Sequence, residues 1–519
     1  MAIIKKIKLL NFKRFKTLEL SLDEKLNIFI GDNESGKSTI LEAINLLLSG
    51  KKKKIDTLCL ESIFNYDAIN NFLNSNRLYN NLPKLFIELY LDEQNNPDLF
   101  GRNNSDNRDY NGLRFECIPN DDLSREINEI LSNDECIFPF EYYSINYYTF
   151  SGEGYSGFRP YVKHISIDHS QIGAEYSLRE YIRGMYSNTI EGNEKPKHFN
   201  DYRRSKKNFS DSSLSNINSR LPEYKFAIRN NSKSNLETDL TLFDSDIDIE
   251  NKGKGRQCFI KTDFALSRSE DNLDVILVEE PENHLSHINV NKLIRKIASA
   301  VNTQLFISTH SNMIASRLDL RKAILLNSTS TNFTLFNTLE ESTAKFFMKA
   351  PNNNILDFTL SKKVILVEGD AEYILTEQLF RNSFNEELSA NDIHIISVGG
   401  VSFKRYLELA NILKLKTAVI RDNDGNYQSN CIDNYTELVA ENIKIFYTTN
   451  NEDNTFEKCF YNDNTDVCNE LFESGRRTLS VLEYMLKNKA EVAFELLDKK
   501  GNVLNTPLYI REALEWIKE

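Results

Sequence analysis

This sequence of 519 residues contains no run that approaches the ~20 apolar residues of a membrane-spanning helix. Its first ten residues, MAIIKKIKLL, lack the long apolar centre and the small-residue cleavage site of a signal peptide. The seven cysteines stand singly, at positions 59, 117, 136, 258, 431, 459 and 468, without the close pairs of a zinc site. These absences predict a cytoplasmic protein with reduced cysteines and no contact with a membrane.

A surplus of basic residues is also missing, because the formal net charge is −13 at pH 7. This balance argues against a protein that coats nucleic acid as a histone does. It does not exclude nucleic acid as a substrate, because carboxylates that hold metal ions contribute to the same total. Two basic stretches, KKKK at 51–54 and RRSKK at 203–207, are candidates for phosphate contacts, although a solvated loop is the commoner role of such a run.

Changes of composition divide the chain, whose length alone predicts about three domains. Residues 185–250 are rich in Asn, Ser, Lys and Asp, which indicates an insertion that is partly helical and partly mobile. Further on, predicted strands alternate with predicted helices, a pattern typical of a parallel sheet covered on both faces. These elements are strands at 364–367, 393–399 and 417–422, and helices at 371–383 and 402–414.

The segment GDNESGKS, Gly31 to Ser38, matches G-x-x-x-x-G-K-[ST] and lies between a predicted strand and a predicted helix. The glycines let backbone N–H groups curl around phosphates, Lys37 reaches the outer phosphates, and the Ser38 hydroxyl ligates magnesium. The loop therefore predicts a site for ATP and Mg²⁺. Its predicted nucleotide-binding residues are Gly31, Asn33, Gly36, Lys37, Ser38 and Thr39.

A second phosphate-site motif is VILVEEPENHLSH, in which four apolar residues lead into Glu279 and Glu280. This is the arrangement of a Walker B strand, whose first carboxylate holds the magnesium shell and whose second positions or activates the attacking water. After the next predicted helix, the strand LFISTH ends at His310. The three motifs, in this order, resemble an ATPase head of the ABC class, of the RecF and SMC kind. The resemblance implies that His310 senses the terminal phosphate.

Two features depart from that class. Glu279 stands where most members carry Asp, and NKGKGRQ at 251–257 stands where an LSGGQ signature is expected. The signature loop of the class caps ATP across a dimer interface, so residues 252–255 are candidates for contacts with a partner's nucleotide. An ordinary glycine-rich loop explains the same residues equally well. The departures leave open whether ATP is hydrolysed.

Acidic residues cluster again beyond residue 360. In VILVEGDAEY, Glu368 ends a predicted strand, and Glu372 lies four residues on, on the same side of the helix that follows. Asp422 and Asp424 end the strand in TAVIRDNDG, and a D-x-D pair points both carboxylates one way if the backbone stays extended. Glu457, in NTFEKCF, is a further acidic candidate.

Carboxylates gathered at the ends of adjacent parallel strands repel one another unless cations lie between them. Hard oxygen ligands select magnesium, manganese or calcium. Two such ions about 4 Å apart activate a water and stabilise the leaving oxygen in phosphodiester cleavage. The pattern therefore predicts a metal centre, for which Glu368, Glu372, Asp422, Asp424 and Glu457 are the acidic candidates.

The same stretch resembles the TOPRIM pattern of topoisomerases, primases and some nucleases, with Glu-Gly after one strand, Gly399 and Gly400 after a second, and D-x-D after a third. A TOPRIM domain that follows an ABC ATPase is similar to the overcoming lysogenization defect (OLD) family of nucleases, which includes Gabija-type anti-phage enzymes. The resemblance implies an α/β fold: an ABC/SMC-like P-loop head with a helical or partly mobile insertion, then a Rossmann-like TOPRIM domain. The implied domains are residues 1–184 and 251–350 for the ATPase, 185–250 for an insertion that serves dimerisation or a partner, and 351–519 for TOPRIM.

By that resemblance, Glu368 and Glu372 match the family's E-G-x-x-E motif, Asp422 and Asp424 its D-x-D motif, and Glu457 its later acidic ligand. The family also has a catalytic lysine near the C-terminus that stabilises negative charge on the phosphate. In KNKAEVAFELL both Lys487 and Lys489 are candidates, and Lys489 fits the spacing better. The implied catalytic residues are Glu368, Asp422, Asp424 and Lys489 for DNA cleavage and Glu280 for ATP hydrolysis.

The leading hypothesis is an ATP-regulated, divalent-metal-dependent DNA endonuclease or nickase of anti-phage defence, using ATP and Mg²⁺, with Mn²⁺ or Ca²⁺ as alternatives at the TOPRIM site. Implied partners are DNA, a second copy through the ATPase head, and a helicase-like protein or a retron reverse transcriptase with its DNA. A topoisomerase- or primase-like activity is an alternative, but the cysteine spacing offers no primase zinc module. An SMC/RecF-like clamp or sensor without cleavage is another, favoured by the missing signature and opposed by the intact acidic set. The sequence leaves open the trigger, the DNA preference and whether ATP activates or inhibits cleavage.

Overall fold

The computed structural model divides the chain into two compact units, Met1–His310 with Leu326–Phe333, and Ser311–Leu325 with Thr334–Glu519. The boundaries that the sequence predicts for the four domain segments stay predictions. Among the helices of the described residues, none combines the length and apolar character needed to cross a bilayer. The structure describes residues 2–52, 55, 59–133, 137–157, 160–168, 182–186, 189–190, 194–221, 223–229, 236–267, 273–299, 303–328, 332–350, 354–399, 402–473 and 479–519.

Among the described residues, the first unit contains two larger sheets, the two-stranded hairpin β9-β10 and the helices between the strands. Its strands are Ile4–Phe12 (β1), Phe15–Ser21 (β2), Leu26–Gly31 (β3), Leu85–Leu91 (β4), Phe100–Gly101 (β5), Tyr110–Pro119 (β6), Tyr143–Thr149 (β7), His164–Asp168 (β8), Phe243–Asp244 (β9), Ile247–Asp248 (β10), Val275–Glu279 (β11) and Gln304–Ser308 (β12). Its helices are Lys37–Ser49 (α1), Leu60–Ile63 (α2), Tyr66–Leu73 (α3), Ser124–Leu131 (α4), Glu194–Ser212 (α5), Ser215–Asn218 (α6), Leu236–Asp239 (α7), Lys254–Ser267 (α8) and His287–Ser299 (α9).

An antiparallel sheet in the order β2-β1-β4-β6-β5, with β7 also paired to β6, forms one layer of this unit. Strand β2, FKTLELS, shows why: Phe15, Leu18 and Leu20 are buried while the residues between them are exposed. Such alternation with a period of two is typical of a sheet with one face on the core and one in water.

A parallel arrangement in the order β3-β12-β11-β8 forms the second layer. Strand β11 begins with four fully buried apolar residues, and every residue of β12 is buried, as expected for strands covered on both faces. The strands predicted around LNIFIG, DVILVEE and TQLFISTHS are confirmed. The carboxyl ends of β3 and β11 therefore meet at one edge of the sheet, where the P-loop and the Walker B carboxylates follow.

The predicted insertion at 185–250 contains α5, α6, α7 and the short hairpin β9-β10. No residue of α5 is buried, and this helix carries the RRSKK stretch. The helical part of the prediction is confirmed for these segments. Several residues covered by predictions lie outside the described part of the chain: 187–188, 191–193, 222 and 230–235 of the insertion, 53–54 of the KKKK run, Cys136 and Gly400. The other six cysteines are free thiols, and all but Cys59 are buried.

The second unit is an α/β domain around the parallel sheet β16-β15-β17-β18. The strands from the unit boundary onward are Ala323–Leu326 (β13), Phe333–Leu335 (β14), Lys363–Val367 (β15), Ile393–Ser397 (β16), Lys416–Ile420 (β17) and Ile443–Phe446 (β18). The helices are Asn312–Arg317 (α10), Glu341–Lys349 (α11), Ile355–Leu360 (α12), Asp370–Phe384 (α13), Phe403–Leu413 (α14), Phe456–Asp463 (α15), Thr465–Phe472 (α16), Val481–Lys487 (α17), Lys489–Lys500 (α18) and Leu508–Lys518 (α19).

Apolar residues of the strands and of α13, α15, α18 and α19 form one buried core in this unit, which includes Ile365, Leu379, Phe460 and Leu514. The predicted alternation of three strands and two helices after residue 360 is confirmed, and so is the α/β class. Two of the strands end earlier than predicted, β16 at Ser397 and not at residue 399, and β17 at Ile420 and not at residue 422. Asp422 therefore lies in the loop beyond the strand.

Two candidate sites at the ends of parallel strands

The P-loop curls between β3 and α1 because its glycines adopt conformations that other residues avoid. Gly36 has φ 99° and precedes the first residue of α1, and a Cβ there would lie 2.5 Å from the Phe15 ring. The buried Lys37 donates from Nζ to the carbonyl oxygens of Gly31 (2.9 Å) and Asp32 (2.8 Å). Burial lowers the pKa of Lys37 to about 8. The ammonium thus lies inside the loop, at the positive end of the helix, where anions bind.

An open cavity of about 320 Å³ adjoins this loop, a size within the range of small-molecule sites. Its lining includes most of the predicted nucleotide-binding residues, together with the second Walker B carboxylate and the predicted sensor histidine. The lining residues are Lys13, Arg14, Asn33, Glu34, Gly36, Lys37, Ser38, Thr39, Glu280 and His310. Lys13 and Arg14 come from the turn between β1 and β2, and the sequence motifs gave no signal for them.

Glu279 ends β11, and its carboxylate accepts a hydrogen bond from the Ser38 hydroxyl, the predicted magnesium ligand. Burial raises the pKa of Glu279 to about 7, and the nearby Asp168 and Glu280 carboxylates add to this shift. The P-loop serine and the first Walker B carboxylate are therefore in direct contact. This arrangement suits two ligands of one hydrated magnesium ion.

Glu280 takes a left-handed conformation, with φ 47°, immediately after the strand. Its Oε2 accepts a hydrogen bond from Asn283 (2.6 Å), and its Oε1 lies 3.6 Å from Nε2 of His310. Burial and the nearby Lys37 charge lower the pKa of His310, which keeps the imidazole neutral at pH 7. The structure thus brings Glu280, His310 and Lys37 to one cavity.

Glu282 is a residue of this site that sequence reasoning missed. Its Oε1 accepts hydrogen bonds from the Thr309 hydroxyl (2.8 Å) and from the backbone N–H of His310 (2.7 Å). Burial raises the pKa of Glu282. The side chain therefore fixes the backbone that presents His310. The available signal was its place as the third glutamate in the run EEPE, residues 279–282.

The loop predicted to contact a partner's nucleotide lies at the start of α8. The Lys252 ammonium lies 3.3 Å from Asp244 in the β9-β10 hairpin, and α8 begins at Lys254. A Cβ on Gly255 would collide with the carbonyl oxygen of His284, so this glycine permits a close backbone approach. The contact of residues 252–255 with a second copy stays a prediction.

In the second unit, Glu368 follows β15 directly, and Glu372 lies in the first turn of α13. Glu372 is buried, and a Cβ on Gly369 would lie only 3.2 Å from its Oε2, so the glycine leaves room for this carboxylate. Burial raises the pKa of Glu372 to about 7, and repulsion from Glu457 adds to this shift. The E-G-x-x-E spacing thus places an acidic side chain against the sheet edge.

Asp422, in the loop after β17, lies within the field of the same carboxylates. Burial raises its pKa to about 8, and Glu372, Glu368 and Glu457 reinforce this shift. A carboxyl group with such a pKa is largely protonated at pH 7 when no cation is bound. The structure therefore brings together four of the five predicted metal ligands in one acidic cluster, Glu368, Glu372, Asp422 and Glu457.

The fifth predicted ligand, Asp424, is oriented differently, because the D-x-D backbone does not stay extended. Asp424 has φ 48°, and half of its side-chain surface is exposed. The residue between the two aspartates, Asn423, is fully buried and donates to the carbonyl oxygens of Thr448 (2.9 Å) and Asn450 (2.8 Å). Asn423 thus fixes a turn, and Asp424 is more exposed than Asp422.

Glu457 lies in the first turn of α15 and is buried. Its Oε2 is 3.0 Å from the ammonium of Lys489, at the start of α18, and its Oε1 has no hydrogen-bond partner among the described residues. Although burial opposes it, the ion pair with Glu457 and the field of Asp422 raise the pKa of Lys489. Of the two lysine candidates, Lys489 is the one that the structure records on the acidic cluster, while Lys487 ends α17.

Arg421 is the second functional candidate that the sequence analysis missed. Its guanidinium forms ion pairs with Glu368 and, at 3.0 Å, with Asp424. Its Cζ lies 5.6 Å from the centre of the Phe403 ring. The signal was available, because arginine stands directly before the D-x-D motif.

The chemistry of this cluster suits a divalent cation, because it supplies several buried carboxylates, two with raised pKa values, and one buried oxygen without a hydrogen bond. Within the described residues, however, no three His, Cys, Asp or Glu side chains stand in a geometry that would hold a metal ion. Arg421 and Lys489 neutralise the carboxylates instead. The carboxylates are therefore suitable ligands for a hard cation, and in this structure Glu368, Asp424 and Glu457 form ion pairs with Arg421 and Lys489.

Comparison with known proteins gives matches in both units. A family described as AAA ATPase domain matches residues 3–315, and a family described as overcoming lysogenization defect protein-like, TOPRIM domain, matches residues 360–424. A segment of 169 residues is 25% identical to the Old nuclease of Escherichia phage P2, covering 30% of this chain and 29% of that protein. A segment of 51 residues is 43% identical to the DNA replication and repair protein RecF of Clostridium kluyveri, covering 10% of this chain and 14% of that protein.

These matches span less than a third of the length of either relative. Among solved structures, the C-terminal region of the Burkholderia pseudomallei OLD protein matches with 21% identity and a TM-score of 0.24, covering 31% of this chain and 98% of that chain. The two family matches cover the motifs of both candidate sites, apart from Glu457 and Lys489, and they follow the order that the sequence predicted. The chain therefore belongs to the AAA ATPase domain family, whose model covers residues 3–315, and a TOPRIM domain like that of overcoming lysogenization defect (OLD) proteins follows at residues 360–424.

Proposed function

We propose that this protein is an ATP-regulated, divalent-metal-dependent DNA endonuclease or nickase that acts in defence against phage. The observation that carries the proposal is the acidic cluster of the second unit, which gathers Glu368, Glu372, Asp422 and Glu457 at the carboxyl edge of a parallel sheet. Such a cluster is unfavourable without cations, because burial and mutual repulsion both oppose the charged carboxylates. The family relationship to a nuclease supports the same conclusion.

The carboxylates of the cluster would hold Mg²⁺ or Mn²⁺, and Asp424 would complete the ligand set. When bound, such ions supply an activated water and stabilise the leaving oxygen of a phosphodiester. Asp422 and Glu372 release their carboxyl protons before they act as ligands, because their pKa values are about 8 and 7. Lys489 stays charged and is placed to stabilise negative charge on the phosphate in the transition state.

The first unit would bind ATP and Mg²⁺ and control the cleavage. Lys37 would bind the outer phosphates, Ser38 and Glu279 would hold the magnesium ion, and Glu280 would position the attacking water. His310, which is neutral, donates or accepts a hydrogen bond at the terminal phosphate. The contact between Ser38 and Glu279 and the cavity beside them support these assignments.

The proposed partners are DNA and a second copy of the chain, which would meet through the ATPase head. The insertion at 185–250 is the proposed region for family-specific partners, such as a helicase-like protein or a retron reverse transcriptase with its DNA. Its helix α5 supports this proposal, because none of its residues is buried and it carries the RRSKK stretch.

One observation favours a second candidate, an ATP-dependent DNA-binding clamp or sensor without cleavage. Arg421 and Lys489 already neutralise three of the five predicted metal ligands, Glu368, Asp424 and Glu457. A cluster balanced in this way can persist without metal ions. The two candidates differ in whether divalent cations bind the second unit and permit strand cleavage.

The deciding experiment is cleavage of supercoiled plasmid by the purified protein with Mg²⁺ or Mn²⁺, in the presence and absence of ATP. The variants are Glu368→Gln, Lys37→Ala and the control Glu512→Gln, which removes a carboxylate from an exposed position of α19. We expect nicked or linear DNA from the wild type and from Glu512→Gln, and none from Glu368→Gln. Comparison of Lys37→Ala with the wild type, with and without ATP, then shows whether ATP activates or inhibits cleavage. A wild type that binds plasmid but never cuts it, under any of these conditions, favours the clamp.

A further inference from the structure

The acidic cluster of the second unit contains a permanent positive charge at one end. Arg421 follows the last residue of β17, and its guanidinium reaches Glu368, which follows the neighbouring parallel strand β15. The same guanidinium reaches Asp424, three residues further along the chain. One arginine therefore links the carboxylates of two motifs, E-G-x-x-E and D-x-D.

This cation cannot be removed by proton loss. An arginine side chain stays charged at any physiological pH, so a second cation that approaches the same two carboxylates meets an undiminished positive charge. The Glu368 and Asp424 oxygens that Arg421 occupies are also the oxygens that a divalent cation needs as ligands. Metal ion and guanidinium therefore compete for Glu368 and Asp424, because both need the carboxylate oxygens and their positive charges repel each other.

The guanidinium is nevertheless not locked in a complete set of hydrogen bonds. Its Nε is buried and has no acceptor among the described residues, and one of its two partners, Asp424, is half exposed. The planar group lies near the Phe403 ring, which offers an apolar surface and no competing acceptor. An arginine held in this way loses two ion pairs and its packing beside the Phe403 ring when it leaves.

We propose that Arg421 is the counter-ion of the closed site, and that a divalent cation binds Glu368 and Asp424 only by displacing it. Arg421 thereby sets the metal concentration at which the site becomes loaded. This inference rests on the proposed function, because it takes the acidic cluster to be a metal site. It adds a residue that determines how readily that site fills.

The test is the affinity of the nucleotide-free, full-length protein for Mn²⁺, measured by the loss of the free-ion electron paramagnetic resonance signal. We expect Arg421→Gln to bind Mn²⁺ about tenfold more tightly than the wild type, the factor that corresponds to losing one charge-assisted competitor. Adding Glu368→Gln to that variant removes the gain, because the released ligand is then missing.

Two further variants separate displacement from a general change of charge. Lys404→Gln removes one positive charge from α14, where the ammonium is exposed and lies 5.8 Å from the centre of the Tyr435 ring. Arg421→Lys keeps the charge but loses the planar fork that spans both carboxylates. Displacement predicts no gain in Mn²⁺ affinity for Lys404→Gln, and a clear gain for Arg421→Lys that is smaller than that of Arg421→Gln. A purely electrostatic effect predicts a gain in Mn²⁺ affinity for both glutamine variants, smaller for the exposed and screened Lys404→Gln, and no gain for Arg421→Lys.

The possible failures are distinguishable. Unchanged or weaker Mn²⁺ binding by a folded Arg421→Gln, in a wild type that binds Mn²⁺ and cuts plasmid, overturns this inference and leaves the nuclease intact. If Arg421→Gln does not fold, as judged by circular dichroism, Arg421→Lys decides the question alone. Should the wild type and every variant bind no Mn²⁺ and cut no DNA, the proposed function fails, and this inference fails with it.

Discussion

The two candidate sites both place carboxylates at the ends of parallel strands, but the groups that pair with these carboxylates differ. In the first unit, Glu279 accepts a hydrogen bond from the Ser38 hydroxyl, and Glu282 accepts from the Thr309 hydroxyl and a backbone N–H. These donors are neutral. A carboxylate satisfied by neutral donors keeps its negative field and its remaining lone pairs for a metal ion.

In the second unit the partners of the carboxylates are cations. Arg421 pairs with Glu368 and Asp424, and Lys489 pairs with Glu457. Ion pairs with the protein's own cations stabilise the metal-free state and compete with any metal ion for the same oxygens. The difference indicates that the fold leaves the carboxylates of the P-loop site available to a metal ion, whereas in the acidic cluster a metal ion has to compete with Arg421 and Lys489.

The largest expected effect is the loss of cleavage when the acidic cluster is broken. Glu372→Gln preserves the shape of a buried side chain but removes a negative charge. Loss of an outer contact of a metal site costs up to about 100-fold in activity, so we expect the loss of a direct ligand to reduce plasmid cleavage by at least about 100-fold. Glu377→Gln is the matched control, because Glu377 is exposed on the same helix α13. Equal cleavage by the two variants would contradict a metal-holding role for Glu372.

The next prediction tests the nucleotide site of the first unit. Lys37→Ala removes the buried ammonium inside the P-loop, and we expect ATP affinity to fall by about 10-fold or more, the value of a charge-assisted hydrogen bond to phosphate. Fluorescence titration with a labelled ATP analogue measures it. Lys25→Ala, at an exposed position before β3, should bind ATP as the wild type does. Retained affinity in Lys37→Ala would remove the P-loop from the nucleotide site.

Much of this organisation could be predicted from the sequence, because the motifs lie directly after strands of the sheets. Four apolar residues before Glu279 and before Glu368 predict a buried strand, and the carboxyl ends of parallel strands meet at one edge. The gathering of Glu457 and Lys489 onto the same cluster could be expected only from the family resemblance. These two residues come from α15 and α18, and helix packing beyond the motifs brings them together.

The parts that the sequence did not predict concern counter-ions and turns. A D-x-D motif gives no information about the residue between the aspartates, and here the buried Asn423 fixes a turn in which Asp424 takes a left-handed conformation. Arg421 and Glu282 were missed for a related reason. Their roles depend on partners that are distant in sequence, Glu368 for one and Thr309 for the other.

A third prediction uses pH to compare the sites. Asp422 and Glu372 have folded-state pKa values of about 8 and 7, above their unfolded values, so the folded state binds more protons than the unfolded chain between about pH 4 and pH 8. In EDTA, the stability that they contribute therefore falls as pH rises from 5.5 to 8. We expect the wild-type melting temperature to fall by several degrees more than that of Asp422→Asn over this range.

Metal ions should reverse this loss. Bound Mg²⁺ or Mn²⁺ favours the ionised carboxylates, so the rise in melting temperature on adding the ion should be larger at pH 8 than at pH 5.5. Differential scanning fluorimetry measures both quantities in one experiment. A wild type and an Asp422→Asn variant with parallel pH profiles, with and without the ion, would show that Asp422 is not a cation ligand.

The smallest effect distinguishes the two ways of satisfying a carboxylate. Thr309→Val removes one hydroxyl donor from Glu282 but leaves the backbone N–H of His310. We expect the free energy of unfolding to fall by about 1 kcal/mol, the usual net value of one hydrogen bond. Because that donor is neutral and belongs to the fold, the loss should be the same with and without divalent cations in nucleotide-free protein. Thermal melts at both conditions test this, with Thr309→Ser as the control that keeps the hydroxyl. A cation-dependent loss in Thr309→Val would mean that the first site, like the second, is held closed in the absence of its metal ion.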